Sequence, residues 1–349
     1  MKKLEVTDME CRKYDLLTLG EVLLRLSPPA NERMIRTSVF EQNIGGAELN
    51  VAAGVAQLGL RTGMIGKIPS NDIGRLARNE IHRQNVSDEY LLSDDETDAR
   101  LGIYFYEGGA APRKPRIVYD RRNTSVYKMK ADEFPEEMFT SARCFHTCGI
   151  TLALDEKVRE TAVTLMRKFK EHGTLISFDV NFRGNLWSGE EARKCIEEIL
   201  TLVDIFFCSD STARLTFQKK GTPEEVMKSF TRDYPLSIVA ATDRTVHSPK
   251  NHSFGSVIYE AKSDRFYKEK NYENIEVVDR IGSGDAYIAG ALYGILKYPE
   301  DLSQAVSIGN AVSALKNTVP GDFPAMDFSE VLELIYEHQS DGPVMEMKR

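Results

Sequence analysis

Short apolar runs typical of strands alternate with helical segments along most of this chain, and this alternation constrains the fold more than any other feature. Turn residues separate the segments: the Gly45-Gly46 pair opens a helix of small residues that ends near Gly59. Ser188 and Thr222, each followed three residues later by glutamate, are capping boxes that predict two further helix starts. Strands that alternate with helices favour a mainly parallel, doubly wound α/β sheet with helices on both faces.

Residues 98–130 interrupt this alternation with a period of two. Apolar residues recur at every second position from Leu101 to Phe105, and a Gly-Gly-Ala-Ala-Pro turn leads into a second apolar run at 116–119. This pattern predicts a β-hairpin. We expect the hairpin to pair with extended pieces near residues 22–44 and to form a small β-sheet lid.

The domain that carries this lid is expected to span residues 14–340. Residues 1–13 alternate acidic and basic side chains and are expected to be an N-terminal extension. The polar residues 340–349 are expected to form a flexible tail.

One turn combines backbone freedom with a carboxylate, at Gly282-Ser283-Gly284-Asp285, between a β-rich run and a helix of small residues. Glycines let the backbone approach a ligand closely, and unpaired amides at a helix start converge on negative charge. An aspartate would repel such an anion. It makes sense if it accepts a proton from an attacking hydroxyl while the amides neutralise a transferring phosphoryl group. Alternatively, Asp285 only complements the helix dipole, and these residues alone leave both interpretations open.

Other patterns exclude several function classes. Tyr287 breaks the Rossmann pattern, and the segment around Gly66-Lys67 lacks the upstream glycine and the following Ser/Thr of a P-loop. The formal charge of −8 argues against nucleic acid as the main partner. Five scattered cysteines indicate no disulfide framework, and we predict no metal-ligating side chains.

The cellular location is predicted from two features that the sequence lacks. No run of about 18 apolar residues predicts a membrane span. The N-terminal segment has no apolar core of the kind found in signal peptides. We therefore expect a cytoplasmic protein that does not bind membranes.

The chain closely resembles the ribokinase-like (pfkB) sugar kinases, and within them the 2-keto-3-deoxygluconate kinases. The resemblance extends over residues 20–323 and includes two signatures, at 45–50 and 279–285. It implies a ribokinase-like fold and Asp285 as the general base. It also implies that the amides of Gly282, Ser283 and Gly284 form an anion hole.

The resemblance further implies the residues that bind the substrate. Arg121 and Arg183, together with Tyr119, are expected to face the carboxylate of a sugar acid, because an arginine fork matches two carboxylate oxygens. The other implied substrate-binding residues are Gly45, Gly46, Asn50, Tyr104 and Asp322. Surface charge for the two arginines and simple lid packing for Tyr104 remain open alternatives.

ATP and Mg²⁺ are the cofactors that the resemblance implies. The corresponding nucleotide-binding residues are Ser209, Thr242, Arg244, Gly282, Gly284 and Asn310. Two segments depart from the family pattern: Ser209-Asp210-Ser211-Thr212 replaces Asn-x-x-Glu, and Thr242-Asp243 replaces Thr-Leu. An aspartate near a triphosphate is costly unless Arg244 or a metal ion offsets it, so normal use of Mg-ATP is open.

The resulting prediction is a phosphotransferase that acts on an alcohol group and converts 2-keto-3-deoxygluconate to its 6-phosphate. Two alternatives stay open: a kinase for another sugar such as fructose, and a sugar- or nucleotide-binding regulatory homologue with impaired catalysis. A homodimer formed through the lid is also expected, since a bare edge with the apolar alternation Leu101-Ile103-Phe105 usually finds a partner.

Overall fold

The computed structural model describes residues 11–340. Residues 1–10 of the predicted extension and nearly all of the predicted tail at 340–349 lie outside the described residues. Arg12 belongs to the predicted extension but is buried, and its guanidinium donates hydrogen bonds of 2.7 Å to the Thr174 hydroxyl and the His172 carbonyl. Contacts with the domain therefore begin before residue 14.

Strands make up two separate sheets. In chain order, the strands of the described residues are β1 (Tyr14–Leu19), β2 (Leu23–Ser27), β3 (Glu41–Gly45), β4 (Thr62–Pro69), β5 (Val86–Ser87), β6 (Leu91–Asp94), β7 (Gly102–Glu107), β8 (Arg116–Asp120), β9 (Ala142–Cys148), β10 (Leu175–Asp179), β11 (Ile205–Phe207), β12 (Ile238–Ser248), β13 (Asn251–Glu260), β14 (Arg265–Lys268) and β15 (Tyr272–Glu276).

The large sheet is mainly parallel. Its strand order is β14-β13-β12-β11-β10-β9-β1-β4-β5, with β15 beside β13 and β6 beside β4. Strands β4, β1, β9, β10, β11 and β12 run parallel, whereas β13 is antiparallel to β12 and β14. This confirms the predicted doubly wound α/β fold.

Helices cover this sheet. In chain order they are α1 (Ala47–Gln57), α2 (Asp72–Arg83), α3 (Gly149–Leu152), α4 (Glu156–Glu171), α5 (Gly189–Ile199), α6 (Asp210–Leu215), α7 (Pro223–Asp233), α8 (Ser283–Lys297), α9 (Leu302–Asn317) and α10 (Phe328–Ser340), with short 3-10 helices at Ser125–Lys128, Ala131–Glu133 and Glu136–Thr140. The capping boxes predicted at Ser188 and Thr222 are present and start α5 and α7. Within residues 11–340, no helix combines the length and the apolar character that crossing a bilayer requires.

Both faces of the large sheet are buried, as adjacent residues of β1 demonstrate. Leu17 packs in one apolar core with Phe169 of α4. Leu16 packs in a second core with Ala291 of α8 and Val312 of α9. Because successive side chains of a strand point to opposite faces, β1 supplies both cores, and its Leu16 and Leu17 are fully buried.

The small sheet has the order β3-β2-β7-β8. Strands β2 and β7 are parallel, while the β2–β3 and β7–β8 pairs are antiparallel. The predicted hairpin therefore pairs with the predicted extended pieces, and the small β-sheet is confirmed. The expectation of a bare edge at Leu101-Ile103-Phe105 is wrong, because β7 lies between β2 and β8 and Leu101 is buried. The edge strand β8 exposes apolar side chains instead, with Ile117 42% and Val118 53% exposed.

Candidate active site

A cavity of about 770 Å³ opens where the parallel strands of the large sheet end. Asp179 at the end of β10, Cys208 after β11 and Thr242 on β12 line it on one side. The small sheet contributes Leu23 and Tyr104. Ligands of open α/β sheets bind outside the carboxyl ends of the strands, so this cavity lies where the fold favours a ligand.

The start of α8 presents backbone amides to this cavity. Gly282 caps the helix in a left-handed conformation, with φ of 81°, and a Cβ atom there would lie 2.0 Å from the carbonyl oxygen of Asp322. Only glycine fits this turn. Within residues 11–340, the amides of Gly282 and Gly284 have no hydrogen-bond acceptor, and both residues line the cavity.

The expectation for Ser283 requires a correction. Its amide donates to the carbonyl oxygen of Arg280 at 3.3 Å, because the chain turns back on itself where the helix begins. An amide that is already engaged is a poorer donor for an anion. The free amides of this turn therefore belong to the two glycines on either side of Ser283.

Asp285 lies in the cavity wall, one residue after these amides. Its Oδ2 accepts a 2.7 Å hydrogen bond from the side-chain amide of Asn50, on α1. Burial raises the pKa of Asp285 to about 7, and the nearby charges of Glu48 and Asp322 add to the effect, while the Asn50 hydrogen bond and Arg183 oppose it. A carboxylate with a pKa near neutrality is suited to accept a proton from an alcohol.

Three arginines line the cavity without ion-pair partners among the described residues: Arg183, Arg244 and Arg280. Burial lowers the pKa of Arg244, and the positive charges of Arg280 and Arg183, which line the same cavity, lower it further. Unpaired cations that converge in a cavity favour an anionic ligand.

Arg121, in contrast, already has a partner. Its Nε donates a 2.8 Å hydrogen bond to Oε2 of Glu21, and its Nη2 donates to the same oxygen. Both side chains are buried, although Arg121 and the neighbouring Tyr119 line the cavity. Of the two arginines predicted to face a carboxylate, Arg183 is therefore the one without a carboxylate of the protein beside it.

Asp322 is the centre of a buried polar network that includes residues of the small sheet and of the segment before α8. Its Oδ1 accepts from the hydroxyl of Tyr104, and its Oδ2 lies 3.2 Å from Nη1 of Arg25 on β2. Nη2 of Arg25 lies 2.6 Å from Oδ2 of Asp279, in the segment that leads into the Gly282-Ser283-Gly284 turn, here called the glycine turn. Burial raises the pKa of Asp322, and Arg25 opposes this effect.

The remaining predicted residues divide into two groups. Gly46, Ser209 and Thr242 line the cavity, whereas Gly45 and Asn310 do not. Gly45 pairs with Leu23 in the small sheet, and its lack of a side chain makes room for Asp322, which a Cβ atom would approach to 2.6 Å.

The structure also corrects the prediction that Asn310 binds the nucleotide. It is fully buried in α9, and its side-chain amide donates a 2.8 Å hydrogen bond to Glu269. Its helical spacing is compatible with both a core residue and a cavity residue, and the structure places it in the core.

The segment Ser209-Asp210-Ser211-Thr212, which departs from the family pattern, lies only partly in the cavity wall. Asp210 forms a 2.6 Å ion pair with Arg214 on the next turn of α6 and does not line the cavity. Ser209 does line the cavity, and its hydroxyl caps α6 by accepting from the Thr212 amide at 3.2 Å.

Several polar residues of this region were not predicted from the sequence to belong to the site. The most prominent are Asp179, Arg280 and Arg25. Burial raises the pKa of Asp179 to about 7, an effect that the Asn181 amide opposes. Two signals in the sequence could have identified such residues: a charged residue at the end of an apolar parallel strand, as at Asp179, and a charged residue inside such a strand, as at Arg25.

Comparisons with known proteins show which family the chain resembles. The model of the "pfkB family carbohydrate kinase" matches residues 13–327. A relative from Haloferax volcanii named 2-dehydro-3-deoxygalactonokinase is 33% identical, over 91% of this chain and 95% of its own length.

Solved structures of sugar kinases also superpose on the chain. A 2-dehydro-3-deoxygluconokinase from Thermotoga maritima superposes with a TM-score of 0.87 at 30% identity, covering 93% of this chain and 99% of its own. A sugar kinase from Pyrococcus horikoshii, solved in complex with ATP, has a TM-score of 0.74 at 26% identity, with 91% and 97% covered.

Proposed function

The chain belongs to the pfkB family of carbohydrate kinases, phosphotransferases that act on an alcohol group, and we propose that its acceptor is 2-keto-3-deoxygluconate. The proposed product is the 6-phosphate, with ATP as the donor. One observation carries the proposal: Asp285 stands in the same cavity as the free amides of the glycine turn and the unpaired Arg183. This combination provides a base, a partner for a carboxylate, and a pair of free amides that can hold a phosphate group. We call these amides, of Gly282 and Gly284, the phosphate cradle.

The proposed reaction assigns a role to each of these groups. The terminal hydroxyl of the sugar acid gives its proton to Asp285 while its oxygen attacks the γ-phosphorus of ATP. The bond between that oxygen and phosphorus forms, the bond from the γ-phosphorus to the bridging oxygen breaks, and ADP leaves with the electron pair. The amides of Gly282 and Gly284 hold the transferring group, where fixed dipoles act in a site shielded from water.

Asn50 is proposed to place the attacking hydroxyl. Its Nδ2 holds Asp285, and its Oδ1 is buried without a hydrogen-bond partner among the described residues. A buried carbonyl oxygen without a partner costs free energy that a substrate hydroxyl would recover. The same side chain can therefore orient both the base and the proton that the base accepts.

Arg183 supports an acid over a neutral sugar. An unpaired guanidinium gains a bidentate partner when a carboxylate binds, whereas a neutral hexose leaves its charge uncompensated. Arg244 and Arg280 are proposed to meet the phosphates of ATP, and they offset the negative charge that Asp243 brings to β12. Tyr104 and Asp322 are proposed to contact the sugar chain from the side of the small sheet.

Magnesium is proposed to bind together with ATP. Among residues 11–340 there is no group of three His, Cys, Asp or Glu side chains arranged for a metal ion. Mg²⁺ does not need such a group, because it keeps several waters and usually takes one or two carboxylates plus substrate phosphates. Asp179, in the cavity wall, is the carboxylate that would hold it, and the ion would supply neutralisation of the phosphate charge.

A homodimer through the small sheet is also proposed. The exposed apolar side chains Ile35, Val39 and Val118, which are 79%, 59% and 53% exposed, support it. A second copy would cover these side chains. Val118→Glu should convert a dimer to a monomer in analytical ultracentrifugation, and a wild-type monomer would contradict the proposal.

A substrate panel tests the proposed activity. ADP release is measured with ATP and each of 2-keto-3-deoxygluconate, 2-keto-3-deoxygalactonate, gluconate, fructose and ribose, and phosphorus NMR locates the new phosphate ester. We expect the highest kcat/KM with 2-keto-3-deoxygluconate and a product phosphorylated at the terminal oxygen. A neutral sugar that exceeds both keto acids would contradict the role of Arg183 and the proposed substrate class.

A further inference from the structure

Lys316 is a fully buried lysine near the end of α9. Within residues 11–340 no carboxylate forms an ion pair with its ammonium group, although the negative charges of Asp279, Asp322 and Asp285 favour the charged form. Its Nζ donates hydrogen bonds of 3.2 Å to two backbone carbonyl oxygens, those of Asp279 and Val319. It does not line the cavity. Burying an ammonium group is costly, so a lysine in such a place calls for a compensating role.

The two carbonyl groups belong to the two loops that shape the glycine turn. Asp279 begins the segment that leads to Gly282, and Val319 precedes the loop that carries Asp322. A Cβ atom on Gly282 would lie 3.5 Å from Cε of Lys316 and 2.0 Å from the carbonyl oxygen of Asp322. The lysine side chain therefore packs directly beneath the turn whose amides face the cavity.

The same helix end holds this segment through its backbone. The amides of Val278 and Asp279 donate to the carbonyl oxygen of Asn317, at 2.8 and 3.2 Å. The Asp279 carboxylate is occupied elsewhere, since it pairs with Arg25 and accepts from the amides of Ile281 and Gly321. The direct contact of Asp279 with Lys316 is therefore made by its carbonyl group, and through it the lysine holds the backbone of the turn.

We propose that Lys316 is a positioning residue for phosphoryl transfer. Its ammonium holds the carbonyl groups of Asp279 and Val319 on the side away from the cavity, and this fixes the turn with the Gly282 and Gly284 amides directed at the transferring group. The inference rests on the proposed role of these amides as a phosphate cradle. A neutral side chain of equal length would fill the space but leave two buried carbonyl groups unpaired.

The test compares Lys316→Ala with the wild-type chain on whichever sugar the wild type turns over, so that an error in the proposed substrate leaves the comparison intact. Loss of one preorganised donor in a comparable site costs about 10²–10³-fold in kcat, and we expect a fall of about 10²-fold here. The KM for the sugar should stay within about threefold, because Lys316 does not contact the cavity. Lys297→Ala, an exposed lysine at the end of α8, is the matched control and should keep wild-type activity.

Chemical rescue separates positioning from simple packing. Propylammonium replaces the atoms that Lys316→Ala removes, so it should restore kcat at least about tenfold with saturation, while tetramethylammonium, which has no N–H donor, should not. Wild type and Lys297→Ala should respond to neither. A Lys316→Ala variant with nearly wild-type kcat, or one that folds but shows no rescue or equal rescue by both ions, would overturn the proposal.

Lys316→Met decides the matter if the alanine variant does not fold. It keeps the apolar length of the side chain and removes the charge, so we expect a folded protein, by circular dichroism and thermal unfolding, with the same loss of kcat. A folded methionine variant with wild-type kcat would overturn the proposal. Failure of both variants to fold would overturn it as well, in favour of a purely structural lysine.

Discussion

The side-chain amide of Asn50 donates a 2.7 Å hydrogen bond to Oδ2 of Asp285. The two residues lie 235 positions apart in the sequence, on α1 and α8. The bond joins the helix that begins after the Gly45-Gly46 pair to the helix that begins at the glycine turn. It favours the ionised form of Asp285 against the effect of burial, and thereby connects the geometry of the site to its pH dependence.

The first prediction concerns pH. Asp285 accepts a proton only when it is ionised, and its pKa is raised to about 7. The kcat/KM of the wild type should therefore rise between about pH 6 and about pH 8 and then level off. In Asn50→Ala the lost hydrogen bond raises this pKa further, so the rise should move to higher pH. Initial rates of ADP release across the pH range measure both curves, and an Asn50→Ala curve displaced to lower pH would contradict the account.

The second prediction concerns the carboxylate of the substrate. Arg183→Met should lower kcat/KM for 2-keto-3-deoxygluconate by about 10²-fold, since a charge-assisted bidentate pair contributes about 1.5–3 kcal/mol. The rate with a neutral sugar, where measurable, should change far less. Arg167→Met, at an exposed position on α4, is the matched control. Equal losses for acid and neutral sugars would assign Arg183 to the nucleotide instead.

The third prediction separates Arg121 from Arg183. Removing one partner of a buried ion pair leaves an uncompensated charge, so Arg121→Met should lower the free energy of unfolding by about 3–5 kcal/mol. The double variant Glu21→Gln with Arg121→Met should recover much of that loss. Urea unfolding monitored by fluorescence gives both values. Normal stability of Arg121→Met together with lost activity on acids would show that Arg121 binds substrate directly.

Local patterns made the fold and the centre of the site predictable. The alternation of strands and helices indicated the parallel sheet, and the period of two at residues 101–105 indicated the small sheet. The Gly-Ser-Gly-Asp turn carries its chemistry within four consecutive residues, so Asp285 could be singled out without a structure. Each of these signals depends on neighbours in the chain.

Pairings across long sequence distances were not predictable. Arg25 and Asp322 lie 297 positions apart, and the sequence does not indicate that they meet. Likewise, Arg121 and Arg183 looked equivalent because both are charged residues in matching motifs. Only Glu21, placed beside one of them by the fold, distinguishes them. The prediction that Asn310 binds the nucleotide failed for a related reason, because helical spacing does not indicate which side of α9 faces a ligand.

The central claim is that Asp285 is the general base beside a phosphate cradle, and Asp285→Asn tests it most directly. Asparagine keeps the shape of the side chain, so the dissociation constants for an ATP analogue and for the keto acid, measured by calorimetry, should stay within about threefold of wild type. Loss of the base should lower kcat by about 10²–10⁴-fold. An Asp285→Asn variant that binds both ligands and turns over within about tenfold of wild type would contradict the account.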